Sequence, residues 1–517
     1  MSGDYTHHKN ESLVRLTGAA GYPQSLSRDQ SIADAAHLEW HQRTQSQYTF
    51  VEESSEKSAP VRFADRFLRR GRKNIGVLTS LKRIALGSCM NVLLPVIPIA
   101  WVAHFLEWTH ELQFILCLVA IVPLQQLFEY GGSQLAFYVG KQIGDLIIIS
   151  LNNIVEGILA IVLLLKCELR LLQSTIIGVV LLHLLLVPGG SFLMGGARVA
   201  HQDLHPHITQ LNHTLLMVGV LTLLLPTASF SALERGLRST VDSSPEDIIN
   251  AHTRQQMIDI SRGLAVLLLI LYFSARLFLI NPPGEGNSAL SSHPDAPLGY
   301  LDEEERLVQT EPEINQWVCL VMLLVTIGIM SGTAEWLVDS IEFVKESETL
   351  SEEWFGLVLL PVVSFSGDGV LAMLTWVRRL LRHYLGWKIT PVQTLAKAQS
   401  IDTAIQYLIA WVPIFVLLGW SKEKPLLLLF DSFEVAILVA SCFLINVITS
   451  DSKVNWAEGL EVSCYGDIGT YNVFNSGVAL ILFYAMIALT AWFYEGQKEI
   501  AALLSLGPEC VAEGHSG

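Results

Sequence analysis

From about residue 87 to residue 495 the chain is written mostly in apolar residues, interrupted by short polar turns. Each apolar stretch is close to the ~20 residues a helix needs to cross a bilayer. The pattern predicts eleven membrane-spanning helices, at about 87–106, 111–130, 143–165, 172–194, 208–230, 257–280, 315–344, 354–376, 397–420, 430–449 and 477–495. Pro95, Pro98, Pro226, Pro361 and Pro413 fall inside these stretches. Membrane helices tolerate proline when neighbouring groups re-satisfy the freed backbone. The expected fold class is all-α, a polytopic membrane protein.

Residues 1–80 have a different texture. The first ~60 are rich in Ser, Gln, Glu and His and lack helical periodicity, which predicts a mostly disordered tail. Arg62, Arg66, Arg69, Arg70, Arg72, Lys73, Lys82 and Arg83 precede the first span and place the amino terminus in the cytosol. Counting crossings, the loop after the eighth span is then also cytosolic; it carries Arg378, Arg379, Arg382, His383 and Lys388, in agreement. Residues 281–313 form an acidic linker with Pro282-Pro283-Gly284 and Asp302-Glu-Glu-Glu305, and the count makes it cytosolic. It divides the chain into a first membrane half (87–280) and a second (314–496), followed by a short tail (497–517). One helix plus five, then five more, is the pattern of two inverted repeats, because five is odd and the second half enters from the opposite side.

Composition supports the class. The chain of 517 residues is 51% hydrophobic and 16% charged, too apolar to cover a soluble surface. Its net charge of −16 argues against nucleic-acid binding and fits cations as partners. Seven scattered cysteines with no CxxC pair suggest neither a disulfide framework nor a zinc site. No nucleophile–base arrangement and no phosphate loop is present, so neither an enzyme nor an ATP-driven pump is expected, and no cofactor.

Carboxylates inside a membrane are costly and mark function by default. Glu156 lies mid-span, and Asn152, Asn153 and Glu156 share a helix face by i, i+3, i+4 spacing. A carboxylate with amide oxygens suits a hard cation stripped of water; the alternative is a polar helix–helix contact. Asp368, mid-span in the second half, is its counterpart, and the two acids would be the metal ligands of one midplane site. Gln173 and Gln406 follow the two acidic helices, each as a second amide ligand or an interhelical hydrogen bond. Glu335, Asp339 and Glu342 line one face at the end of the seventh span, as an acidic vestibule or a solvated helix end.

Several stretches resemble the calcium/proton exchangers of the calcium/cation antiporter superfamily, the fungal vacuolar members in particular. They are Asn91-Val-Leu-Leu-Pro-Val-Ile-Pro98, Gln173-Ser-Thr-Ile-Ile-Gly178, Ser261-Arg-Gly263 with Tyr272, Thr333-Ala-Glu-Trp-Leu-Val-Asp-Ser-Ile-Glu342 and Trp456-Ala-Glu-Gly459. The resemblance implies eleven helices, an acidic linker, two inverted repeats and antiport of calcium against protons. It also exposes departures. The first signature, Gly-Asn-x-x-Glu in the family, is Asn152-Asn153-Ile-Val-Glu156 here. The second, Gly-Asn-Ala-Ala-Glu-His, is Ser364-Phe365-Ser366-Gly367-Asp368-Gly369, which loses its Asn and His and shortens its Glu. Gly-Ser-x-x-Ser-Asn becomes Gly178-Val-Val-Leu-Leu182-His183, Gly-Ser-Ser-Ile-Gln becomes Asp402-Thr403-Ala404-Ile405-Gln406, and a Glu-Glu pair becomes Ser133-Gln134. Two stretches, about 380–394 and 464–475, are additional to the family pattern. The function expected is exchange of calcium or a related cation for protons across a vacuolar or other internal membrane. The alternative is a transport-dead or altered-selectivity paralogue serving as a regulatory or scaffolding membrane protein.

Overall fold

A computed structural model describes residues 67–68, 75–86, 89–139, 141–196, 202–203, 206–240, 251–280, 312–347, 351–365, 399–424, 426–450, 453–454, 476–494, 496–497 and 500. The tail before residue 67, the linker 281–311, Asp368, the basic loop 378–388 and the stretches 380–394 and 464–475 lie outside this set.

Helices account for nearly all of the described chain. A short helix α1 (Val77–Leu86) and a 3₁₀ turn (Cys89–Leu93) lead into α2 (Val96–Phe105) and the long α3 (His110–Val139). The third predicted span is two helices, α4 (Lys141–Asn152) and α5 (Ile154–Leu165), bent by 52° at Asn153. Next comes α6 (Leu169–Leu181), which passes through a π turn (Leu182–Leu186) into α7 (Val187–Gly196). The first half closes with α8 (Pro206–Thr240) and α9 (Ala251–Ile280). The second contains α10 (Gln316–Ser347), α11 (Glu352–Trp354) with its π turn (Phe355–Leu359), α12 (Gln399–Gln406), a third π turn (Tyr407–Trp411), α13 (Val412–Ser421), α14 (Ser432–Ile448) and α15 (Ser476–Trp492). Among the described residues six continuous helices are long and apolar enough to cross a membrane, seven with the bent pair, and three shorter apolar helices stand at the first, tenth and eleventh predicted spans. The strand content there is one two-residue antiparallel bridge, Gln202–Asp203 with Lys453–Val454.

Packing separates a lipid face from an interior. Leu267, Ile270 and Leu277 recur on the exposed side of α9, and Leu482, Met486 and Leu489 on that of α15, as the hydrocarbon solvent requires. The span Leu169–Phe192 is almost wholly buried inside the bundle. It crosses the eighth span at close range. A Cβ at Gly178 would collide with the Leu357 and Gly356 carbonyls, and one at Gly356 with the Ser174 side chain. Ser174 and Gly178 are one turn apart, so two small residues let the backbones approach.

Polar ties sort the helix ends into two sets. Arg83 pairs with Glu313 at 3.3 Å, Asn315 N–H donates to Ser80 Oγ at 3.0 Å, and the Tyr138 hydroxyl donates to the Ile314 carbonyl, joining the approach to α2, the end of α3 and the start of α10. In the other set the end of the third span and the start of the fourth meet the end of α10 and the start of α11, through Lys166–Asp339 at 2.9 Å and the Arg170–Glu353 pair. Lys424, after α13, donates to the Leu165 carbonyl, and the Tyr494 hydroxyl donates to Asp431 at 2.6 Å. Each set gathers the ends that alternate crossing assigns to one side.

Residues 426–430 are a fully buried stretch without regular secondary structure between α13 and α14. Water cannot reach its backbone, so side chains satisfy it. Gln173 Nε2 donates to the Leu427 and Leu429 carbonyls at 2.8 and 3.1 Å. Ser261 Oγ accepts from Leu428 N–H at 2.9 Å, and Thr227 Oγ1 donates to the Phe430 carbonyl at 3.0 Å. The stretch ends in a capping box, where Asp431 accepts from Phe433 N–H at 2.9 Å and Glu434 reaches back to Asp431 N–H at 3.4 Å. Cys117, Cys319 and Cys442 are buried and free, whereas Cys167 is disulfide-bonded, one bridge that the cysteine spacing did not suggest.

Candidate functional site

The break between α4 and α5 falls at Asn153, whose backbone leaves the helical region (φ −96°, ψ 2°). The break turns one membrane helix into two half-helices meeting inside the protein. Glu156 sits in the first turn of the second half-helix, where unsatisfied N–H groups and the helix dipole favour a negative charge. Both positions are sealed from solvent, Asn153 at 0% and Glu156 at 1% exposure.

The hydrogen bonds around the break divide unequally. Asn153 Nδ2 donates to the Thr403 carbonyl and to Gln406 Oε1, both at 3.1 Å. Asn153 Oδ1, Glu156 Oε1 and Glu156 Oε2 are buried with no hydrogen-bond partner. Ser364 stands beside the carboxylate, but its hydroxyl donates to the Pro361 carbonyl at 2.9 Å. Tyr407, on the third π turn, lies within electrostatic reach of Glu156, and its hydroxyl is also unpartnered. A buried polar group without a partner costs free energy, and a carboxylate costs most. Four oxygens left open near one half-helix terminus therefore form a buried polar cluster suited to a cation or a proton.

Gln406 is drawn into this cluster. Its amide nitrogen donates to Ser150 Oγ and to the Tyr272 hydroxyl, both at 2.9 Å, which turns its oxygen toward Asn153. Gln173 is placed elsewhere, on the carbonyls of the 426–430 stretch. The described part of the eighth span ends at Phe365, whose ring packs edge-on against His183 on the first π turn, with centroids 6.2 Å apart. Both ring nitrogens of His183 are buried without partners. Asp368 lies beyond the described residues.

The acidic stripe at the end of α10 stands apart from the cluster. Glu335 and Asp339 are exposed, and both pair with Lys166, at 3.4 and 2.9 Å. The Glu342 side chain lies outside the described set. The sequence reading named neither Lys166 nor Tyr272 as site residues. Lys166 follows an apolar span and gives no local signal. Tyr272 carries one, since a tyrosine hydroxyl inside a membrane span needs a partner.

Comparison with known proteins agrees with this architecture. Residues 109–281 match the family model described as sodium/calcium exchanger protein. The chain is 27% identical over 499 residues to a vacuolar calcium ion transporter of Cryptococcus neoformans, covering 82% of this chain and 77% of that protein. It is 29% identical over 431 residues to the vacuolar calcium ion transporter of Schizosaccharomyces pombe, covering 83% and 91%. Among solved structures, native YfkE superposes with a TM-score of 0.55 at 18% identity, over 78% of this chain and all of that one. An H+/Ca2+ exchanger, CAX, superposes with a TM-score of 0.51 at 13% identity, over 82% and 98%. The fold is therefore the one these polytopic proteins share.

Proposed function

We propose that this chain, a divergent fungal-type member of the calcium/proton exchanger family, exchanges calcium for protons across the membrane of an acidic organelle of the vacuolar kind. The observation that carries the reading is the open set of oxygens at the broken third span: both Glu156 oxygens and Asn153 Oδ1, buried and unpartnered. Discontinuous helices with half-helix ends aimed at a midplane site are how secondary transporters expose backbone and charge to cargo. The vacuolar names of the fungal relatives support the compartment.

On this reading calcium and protons are the cargo and no resident cofactor is needed. Glu156 alternates between them. A desolvated carboxyl is held neutral by a proton, a bound cation holds it ionised, and the two therefore compete for one group. Asn153 supplies an amide oxygen, and Asp368 a second carboxylate from the other half. Gln406 orients Asn153, while Gln173 braces the buried 426–430 backbone. Glu335, Asp339 and Glu342 attract cations at one mouth, with Lys166 moderating their charge. The amino terminus faces the cytosol, and the two five-helix halves are inverted repeats on either side of the 281–313 linker.

Calcium usually takes 6–8 oxygens. Phe365 stands where the family pattern has an amide, and Asp368 is one methylene short of Glu. The affinity for calcium is therefore low for the family. The scaffold alternative draws no support from relatives that carry transporter names. Vesicles containing the purified chain should take up radiolabelled calcium when an inside-acid gradient is imposed and stop when a protonophore dissipates it. Uptake that is absent, or indifferent to the gradient, contradicts the proposal.

A further inference from the structure

Side chains of α9 and α12 meet in two polar rungs. Tyr272 and Arg276 are one turn apart on α9, and Gln406 and Asp402 are one turn apart on α12. The pairing is antiparallel. Gln406 Nε2 donates to the Tyr272 hydroxyl at 2.9 Å, and the Arg276 guanidinium donates to Asp402 Oδ1 at 3.2 Å. Arg276 also lies over the Tyr272 ring, 5.2 Å from its centroid, so the rungs are joined along α9. The Arg276 and Asp402 side chains are 15% and 21% exposed, which is largely withdrawn from solvent for an ion pair.

An ion pair in this setting requires a reason. Each charge is expensive to desolvate, and each is tolerable only because the other is present. Asp402 stands where the family pattern has glycine, so the acid is a departure of this chain. Its i+4 neighbour is Gln406, whose oxygen meets Asn153. If α12 rotates or slides against α9, Gln406 loses Tyr272 and keeps Ser150 alone, while the Thr403 carbonyl, which also accepts from Asn153 Nδ2, moves with the helix. Asn153 Nδ2 then loses the hold of its two acceptors on α12, and its carbonyl oxygen is no longer kept free for the cation.

We infer that Arg276 and Asp402 are positioning residues of the exchange site: their ion pair fixes α9 against α12 so that Tyr272 and Gln406 hold Asn153 with its carbonyl oxygen free for the cation. The chain of contacts is Asp402, Arg276, Tyr272, Gln406, Asn153, and neither charged residue touches the cargo. The inference rests on the exchange reading and refines how its site is organised. The pair also ties α9 of the first half to α12 of the second, so a substitution on one helix is felt by a ligand on another.

The test compares the parent with Arg276→Gln, Asp402→Asn, Asp402→Glu and the double variant Arg276→Gln/Asp402→Asn. Initial calcium uptake into vesicles is measured against calcium concentration under a fixed pH gradient, at equal protein in the membrane. Each neutralising variant should raise KM for calcium about fivefold to tenfold, the equivalent of losing roughly one oriented hydrogen bond, with maximal rate within about twofold. Asp402→Glu keeps the carboxylate and should stay within about twofold of the parent. The double variant should be no worse than the poorer single one, because both break the same rung. Unchanged KM in both neutralising variants overturns the inference, as does a loss confined to folded protein in the membrane. Effects that multiply in the double variant also overturn it. A parent that takes up no calcium overturns the exchange reading, which separates the two failures.

Discussion

Replacing Gln173 by methionine removes two donors and little volume. In the parent its amide nitrogen satisfies the Leu427 and Leu429 carbonyls at 2.8 and 3.1 Å, on a stretch whose leucines are at most 1% exposed. No water reaches those carbonyls, so each loses its bond outright. An orphaned buried acceptor costs about 1–3 kcal/mol, and two together about 2–5 kcal/mol after partial relaxation. The loss should appear as earlier thermal unfolding of the detergent-solubilised protein, followed by tryptophan fluorescence, and as a smaller monodisperse fraction. The protein that survives should keep the parent's KM for calcium, because the Gln173 amide nitrogen is committed to the Leu427 and Leu429 carbonyls. The opposite result, full stability with KM raised about tenfold, would place Gln173 among the cation ligands and refute the bracing role.

Three further outcomes follow from the same geometry. Gly178→Val inserts a branched side chain against the Leu357 and Gly356 carbonyls and should abolish accumulation of folded protein; a stable valine variant contradicts the close crossing. Phe365→Asn with Asp368→Glu restores two oxygen-bearing groups and should raise initial calcium uptake under an imposed pH gradient above the parent. An unchanged or lower rate means that Phe365 is not at the ion site. Protease added to intact organelles should cleave a sensitive tag at residue 1 and spare one at Gly517 until the membrane is lysed; both ends on one side would sink the eleven-span count.

The apolar runs that predicted the spans meet helices wherever those spans are described, because the cost of unpaired backbone in lipid leaves the chain no other regular structure. Glu156 was legible for a related reason: a carboxylate amid leucines and isoleucines signals itself. The 52° break beside it was not. Neither proline nor glycine stands at Asn153, while Pro123 and Pro226 lie inside helices that continue past them. Hydrophobic periodicity reports which residues are apolar and is silent on where an apolar helix changes direction. Partner choice was equally hidden. Gln173 and Gln406 follow the two acidic helices in equivalent places, yet one faces backbone carbonyls and the other Asn153. That difference arises from the fully buried 426–430 stretch, which lies more than 250 residues from Gln173 along the chain.

If cation and proton exchange on one group, it is the Glu156 carboxylate, whose two oxygens are buried and open. The most direct measurement is initial radiolabelled calcium uptake into vesicles under an imposed inside-acid gradient, comparing the parent with Glu156→Gln at equal protein in the membrane. Glutamine keeps the shape and one carbonyl oxygen but can neither ionise nor release a proton. Gradient-dependent uptake is expected in the parent and background uptake in the variant, with expression retained. A glutamine variant that takes up calcium at the parent's rate would contradict this assignment.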